Sequence, residues 1–127
     1  MNYGYRKEVN MPFEKAVEKT KAELAKEGFG ILTEINVKAT IKKKLDVDYE
    51  NYVILGACNP PFAYQALEAE KEIGLLLPCN VIVFEEGGKV YISAVLPTVA
   101  MNVSENKTLA KIAQEVEEKL KRTVDGI

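Results

Sequence analysis

A chain of 127 residues with 47% hydrophobic and 28% charged residues is typical of one globular domain, which we expect to span residues 1–127. Its net charge of −2 argues against a nucleic-acid-binding protein, because such proteins usually carry an excess of basic residues. No apolar run approaches the roughly 20 residues of a transmembrane helix, and residues 1–7 lack the apolar core of a signal peptide. We therefore expect a cytoplasmic protein with no membrane partner.

Hydrophobic periodicity predicts secondary-structure elements in the order β-α-β-α-β-α-β-β-α. Strands are predicted at residues 3–9, 30–36, 52–57, 81–85 and 90–96. Helices are predicted from Pro12 to Gly28, over residues 37–45, from Asn59 to about Glu70, and after Asn106. The segment 98–101 reads as an apolar connector.

Several of these elements have a specific signal at their ends. Gly28 suits the C′ position that ends a helix, and Asn36 and Asn106 suit helix N-caps. Gly87-Gly88 can adopt the positive φ angles of a tight hairpin turn, which predicts an antiparallel pair of strands. A hairpin within an alternation of helices and strands predicts an α+β domain, with a mixed or antiparallel sheet and helices mainly on one face.

The main chemical lead is a pair of dipeptides, Cys58-Asn59 and Cys79-Asn80, which contain both cysteines of the chain. The first lies where the predicted central strand meets a helix, and the second lies at the entrance to another strand. The asparagine of the first pair is a good helix N-cap, and Pro60 fits the first helical turn. Gly56-Ala57 is small enough for another backbone or a ligand to approach closely.

Three interpretations of these dipeptides are open. In the structural one, both cysteines pack as small hydrophobic residues and both asparagines satisfy local backbone groups. In the second, the helix N-terminus offers N–H donors to an anionic or carbonyl group of a small molecule. The residues predicted to line that site are Cys58, Asn59, Pro60, Cys79 and Asn80, with Leu75, Leu76, Leu77 and Met101 as apolar walls.

The third interpretation is a thiol-dependent enzyme or redox sensor centred on Cys58 and Cys79. The chain has no histidine, which excludes Ser-His-Asp and Cys-His schemes and histidine-based metal sites within one subunit. Two cysteines cannot supply a four-cysteine zinc site. A Cys58–Cys79 disulfide, or a soft metal shared between subunits, is compatible with the count. We expect reduced thiols, no bound metal and no cofactor.

Three ordered segments resemble the bacterial and archaeal family known as domain of unknown function 302. They are residues 28–35 with 37–40, residues 56–60, and residues 76–81, and the regions of Pro97, Met101 and the Asn106-capped helix are also similar. The resemblance implies a compact α+β fold, similar to the helix-bearing curved sheet of TATA-binding-protein-like domains, and dimeric members. It implies no activity. One departure is Lys107, where relatives often have proline.

A homodimer is also expected, because the predicted helices cover only one face of the sheet. A sheet covered by helices on one face leaves its other face open, and Val81, Val83, Tyr91 and Val95 are expected to place apolar groups there. We therefore predict a homodimeric small-ligand-binding or regulatory module rather than an enzyme, with an unidentified small molecule as its other partner.

Overall fold

In the computed structural model, which describes residues 2–127, one antiparallel sheet of five strands carries helices mainly on one face. The strands are β1 (Gly4–Val9), β2 (Gly30–Asn36), β3 (Tyr52–Cys58), β4 (Cys79–Glu86) and β5 (Lys89–Val95), in the order β1-β5-β4-β3-β2. The helices are α1 (Phe13–Lys26), α2 (Val37–Leu45), α3 (Pro60–Ala69), α4 (Pro97–Ala100) and α5 (Lys107–Asp125). The predicted α+β class and the order of the main elements are confirmed.

Two regions form short helical turns that periodicity did not predict. Lys71–Leu76 is a 3₁₀ helix, and the predicted connector after β5 consists of α4 followed by the 3₁₀ turn Met101–Val103. Segments of three to six residues are too short to show a helical repeat of apolar residues. Both turns lie beside the candidate site described below.

Three of the predicted helix ends, at Gly28, Asn36 and Asn106, are confirmed. Gly28 has a φ angle of +86° and follows α1, where its N–H and that of Phe29 donate to the last carbonyl groups of the helix. The Asn36 side chain accepts a hydrogen bond from the Ala39 N–H at 3.0 Å. The Asn106 side chain caps α5 in the same way, so the helix begins at Lys107 despite the missing proline.

The turn between β4 and β5 also forms as predicted. Glu86 pairs with Lys89, and the two glycines between them have φ angles of +59° and +80°. These angles give the turn a twist that matches the two strands.

The core lies between the sheet and helices α1 and α5. Side chains alternate along each strand, so every second residue faces these helices. Sheet residues buried there include Val53, Leu55, Val81, Val83 and Ile92, and they pack with Leu24, Leu109, Leu120 and Val124 of the helices. The placement of Val81 and Val83 on the open face was wrong. Val81 is opposite Leu55 and Val83 is opposite Val53, and opposed residues point to the same face.

The open face of the sheet is apolar at its centre, in two rows of directly opposed residues. The isoleucine row consists of Ile35, Ile54 and Ile82 on β2, β3 and β4. The aromatic row consists of Tyr52, Phe84 and Tyr91 on β3, β4 and β5, with ring centroids 5.5 and 5.3 Å apart. Arg6 of β1 lies 4.1 Å from the Tyr91 ring centroid. Tyr91 therefore faces this side, as predicted. Val95 is on the same side of β5 by alternation, but at the end of the strand it also packs against the core.

Across residues 2–127, no helix is both long enough and apolar enough to cross a membrane. The longest helix, α5, places its apolar residues on one side only, against the sheet.

Candidate functional site

A pocket of about 290 Å³ lies on the helix-covered side of the sheet. It is bounded by α3, α5, the end of β3, the start of β4 and the turns around Met101. Its lining residues are Phe29, Leu32, Ala57, Cys58, Asn59, Phe62, Ala63, Ala66, Leu67, Leu77, Pro78, Cys79, Pro97, Met101, Ile112, Ala113 and Val116. This lining contains no acidic or basic side chain.

Small residues at facing positions account for the space. Ala57 lies on the sheet, Ala63 and Ala66 lie on α3, and Ala113 lies on α5, all of them in the pocket wall. Alanines on one side of a helix often allow it to pack closely on a sheet. Because methyl groups from both helices and the sheet meet here, they instead leave a gap that larger neighbours such as Phe62 surround but do not fill.

The structure brings together three of the five residues predicted to line a ligand site. Cys58, Asn59 and Cys79 all line the pocket, as do the predicted wall residues Leu77 and Met101. Pro60 and Asn80 are outside the lining, and so are Leu75 and Leu76. Asn80 follows Cys79 in a strand and therefore points to the opposite face, where it is exposed and opposite Gly56.

The pocket residues that sequence reasoning missed come from distant parts of the chain. Phe29 and Leu32 lie at the start of β2, Pro97 begins α4, and Ile112 and Val116 belong to α5. Their apolar character fits a core position equally well, so no local signal marks them as pocket residues. Leu32 lies at a register shift between β2 and β3 and is 65% exposed, which places an apolar side chain at the rim.

Asn59 does not cap α3 with its side chain, contrary to the prediction. An N-cap side chain accepts from the N–H of the second or third helical residue, and the second residue here is Pro61, which has no N–H. The Asn59 Nδ2 instead donates to the Glu27 carbonyl oxygen at 3.1 Å and ties the start of α3 to the end of α1.

The N-terminus of α3 is also a poorer anion site than predicted. Pro60 and Pro61 occupy the first two helical positions, so only Phe62 has an N–H among the first three. The next N–H, that of Ala63, donates to the Asn59 carbonyl oxygen at 2.9 Å. With few free donors and no basic side chain in the lining, the pocket is better suited to an uncharged ligand.

A side chain at Gly56 would point to the open face of the sheet, and not into the pocket. A Cβ atom at this position would clash with the Thr33 side chain and would lie 2.9 Å from Pro78 Cγ. The close approach that glycine permits is therefore made by neighbouring side chains of the same chain, and not by a ligand.

The two cysteines are free thiols with different surroundings. Cys79 is buried, and this burial raises the pKa of its thiol to about 11, with a smaller contribution from Cys58. Cys58 is half-buried at the end of β3 and borders the pocket. Because the thiolate is the reactive form, Cys79 is a poor nucleophile at neutral pH.

We expect one thiol per chain to react quickly with a thiol reagent in the native protein, and that thiol to be Cys58. Absorbance of the released chromophore from an aromatic disulfide reagent measures the rate. The Cys79→Ala variant should retain the fast reaction and Cys58→Ser should lose it. Fast reaction of both thiols in the wild-type protein would contradict the buried position of Cys79.

The raised pKa of Cys79 also predicts a loss of stability at alkaline pH. As the pH rises, the thiol loses its proton in the unfolded chain before it does so in the folded one. The stability that the protonated thiol contributes to the fold is therefore complete below its ordinary pKa of 9.0, and it is lost as the pH rises towards 11. Urea unfolding measures this effect. Between about pH 8 and about pH 10.5, the free energy of unfolding should fall by roughly 2 kcal/mol more in the wild-type protein than in Cys79→Ala. Equal losses of unfolding free energy in the two proteins would contradict the prediction.

Within residues 2–127, no three or more acidic or cysteine side chains cluster in a way that could hold a metal ion. Among the lining residues, only Cys58, Asn59 and Cys79 have side chains with a thiol or an amide group.

Comparison with known proteins agrees with the segments noted in the sequence. No curated protein matches the chain. The crystal structure of an uncharacterized conserved DUF302 protein from Bacillus stearothermophilus has a TM-score of 0.93 and 28% sequence identity, covering 99% of this chain and 98% of that one. The family model named domain of unknown function DUF302 matches residues 5–127. The chain therefore belongs to the DUF302 family.

Proposed function

We propose that this protein binds a small, uncharged and mainly apolar molecule in the pocket between α3 and α5. The observation that carries the proposal is the pocket of about 290 Å³ whose lining contains no acidic or basic side chain. Ligand sites are typically concave and apolar with few polar groups, and this one is near the lower end of their usual size.

The size of the pocket limits the ligand. Taking about 30 Å³ for each non-hydrogen atom, as for water in the liquid, the pocket holds roughly ten such atoms. A charged group would have to leave water without an ionic partner, which costs several kcal/mol. The ligand class is therefore a compact ring system or a short branched chain without a formal charge.

Binding is favoured over catalysis because the pocket has no acid–base pair. Its only nucleophile with partial access is Cys58, and the lining supplies no carboxylate, amine or imidazole to take a proton from it. A thiol-dependent enzyme or redox sensor would need that base from solvent or from a partner. The two free thiols also agree with the reducing cytoplasm that we propose as the location of the protein.

Native mass spectrometry of the protein isolated from its own host tests the proposal. We expect an adduct of one small molecule per chain, which is lost on denaturation. Protein purified after expression elsewhere should bind uncharged aromatic probes of similar size at one site, detected by ligand-observed NMR. The absence of both an adduct and saturable probe binding would refute the proposal.

We further propose that the open face of the sheet forms a homodimer interface. Five strands about 4.8 Å apart make this face roughly 20 Å wide and about as long, an area of several hundred Å². The isoleucine row and the aromatic row occupy its centre, and Ile35 is 45% exposed. A twofold dimer would bury the same face of each subunit against its copy, and it leaves the pocket on the outer, helix-covered side.

A further inference from the structure

The Asn59 side chain is almost fully buried, yet only one end of its amide has a partner. Asn59 is 8% exposed. Its Nδ2 atom donates to the Glu27 carbonyl oxygen, which can only accept, so the orientation of the amide follows from the chemistry. Nδ2 also lies on the side of Gly28, where it would be 3.3 Å from a Cβ atom at that residue.

The other end of the amide, Oδ1, is therefore turned away from α1. It accepts no N-terminal N–H of α3, and no donor among residues 2–127 reaches it. No fully enclosed side-chain oxygen or nitrogen in the described chain lacks a partner, so Oδ1 must keep some accessible surface. Because Asn59 lines the pocket and is otherwise enclosed, that surface opens into the pocket.

We infer that Asn59 Oδ1 accepts a hydrogen bond from the ligand of this pocket, which is therefore an uncharged apolar molecule with one O–H or N–H donor. This inference rests on the proposed function and narrows its ligand class to alcohols, phenols and N–H heteroarenes. Amides and simple hydrocarbons are disfavoured. An amide brings a carbonyl acceptor for which the lining offers only thiols and backbone donors, and a hydrocarbon leaves Oδ1 unpaired.

Matched probe pairs separate the hydrogen bond from apolar contact. Indole and indene have nearly the same size and shape, but only indole has an N–H donor. The pair 2-naphthol and 2-methylnaphthalene differs in the same way. The quantity to measure is the ratio of the two dissociation constants within each pair, obtained by calorimetry or ligand-observed NMR.

In the wild-type protein the probe with the N–H or O–H donor should bind more tightly than its matched hydrocarbon. Asn59→Leu should reduce the ratio of the two dissociation constants roughly three- to tenfold. Comparing ratios between variants cancels the different hydration of the two probes in water. Asn80→Leu is the matched control, since it makes the same substitution in the other Cys-Asn dipeptide, on the open face of the sheet. Its ratio should equal that of the wild-type protein.

Asn59→Leu also removes the bond to the Glu27 carbonyl and could fail to fold, so a second measurement uses the wild-type protein alone. The Asn59 side-chain ¹³C carbonyl resonance should move further when indole binds than when indene binds, because both aromatic rings shift nearby nuclei but only indole donates a hydrogen bond. Identical shifts with both probes, or ratios that do not depend on Asn59, would overturn the inference while leaving the pocket proposal intact. If no probe of either pair binds, the proposed function fails as well.

Discussion

The Ala63→Phe variant is expected to lose the binding of small apolar molecules while keeping its fold. Ala63 is half-buried on α3 and lines the pocket opposite the sheet, with Ala66 and Ala113 beside it. A benzyl group at this position would occupy the space that a ligand needs. Filling a cavity commonly raises the free energy of unfolding by about 0.5–2 kcal/mol, so the thermal midpoint should stay the same or rise.

The matched control is Gln65→Phe, which adds a phenylalanine to the exposed face of the same helix. It should bind the probes as the wild-type protein does, because residue 65 is outside the pocket lining. Titration with an uncharged aromatic probe and a thermal melt of each protein are the two measurements. If Ala63→Phe bound the probe with unchanged affinity and an unchanged midpoint, the ligand would have to occupy a different site.

The second large effect is expected at the open face of the sheet, where Ile82→Lys should convert a dimer into monomers. Ile82 is half-buried on β4, the central strand of the sheet, where it ends the isoleucine row and lies between Ile54 and Ser93. In a twofold interface the new ammonium group would be buried without a partner, which costs roughly 3–5 kcal/mol and weakens association more than a hundredfold. In the monomer the same group can reach water, so the fold should persist.

Sedimentation equilibrium at micromolar concentration measures this effect. The wild-type protein should sediment at twice the chain mass of 14.1 kDa, and Ile82→Lys at the single chain mass. Val103→Lys is the control, because Val103 is an exposed apolar residue in the turn beside α5, away from the open face. A wild-type mass of one chain would refute the dimer, and dissociation by both variants would indicate an interface elsewhere.

The two experiments are independent because the pocket and the open face lie on opposite sides of the sheet. Pocket binding in a monomeric protein would support the ligand proposal and refute the dimer. A dimer that binds no probe would support the dimer proposal and refute the ligand proposal. Neither result depends on the identity of the natural ligand.

Elements whose ends are stabilised by nearby residues could be predicted from the amino-acid sequence alone. Gly28, Asn36 and Asn106 each act through backbone groups within a few residues, and the two glycines of the hairpin fix their turn by their own φ angles. Interactions over such short separations are encoded in consecutive residues, so the order of elements and the α+β class could be predicted before any packing was known.

Contacts between residues that are distant in the chain could not be predicted before the packing of the elements was known. The run Val81-Ile82-Val83-Phe84 is apolar on both faces, so its pattern could not show that the valines face the helices until their pairing with β3 was known. The Asn59 side chain bonds to a carbonyl 32 positions earlier in the chain, which no local capping rule includes. The pocket likewise is a gap between small side chains of three elements, and a gap of this kind exists only once those elements have packed.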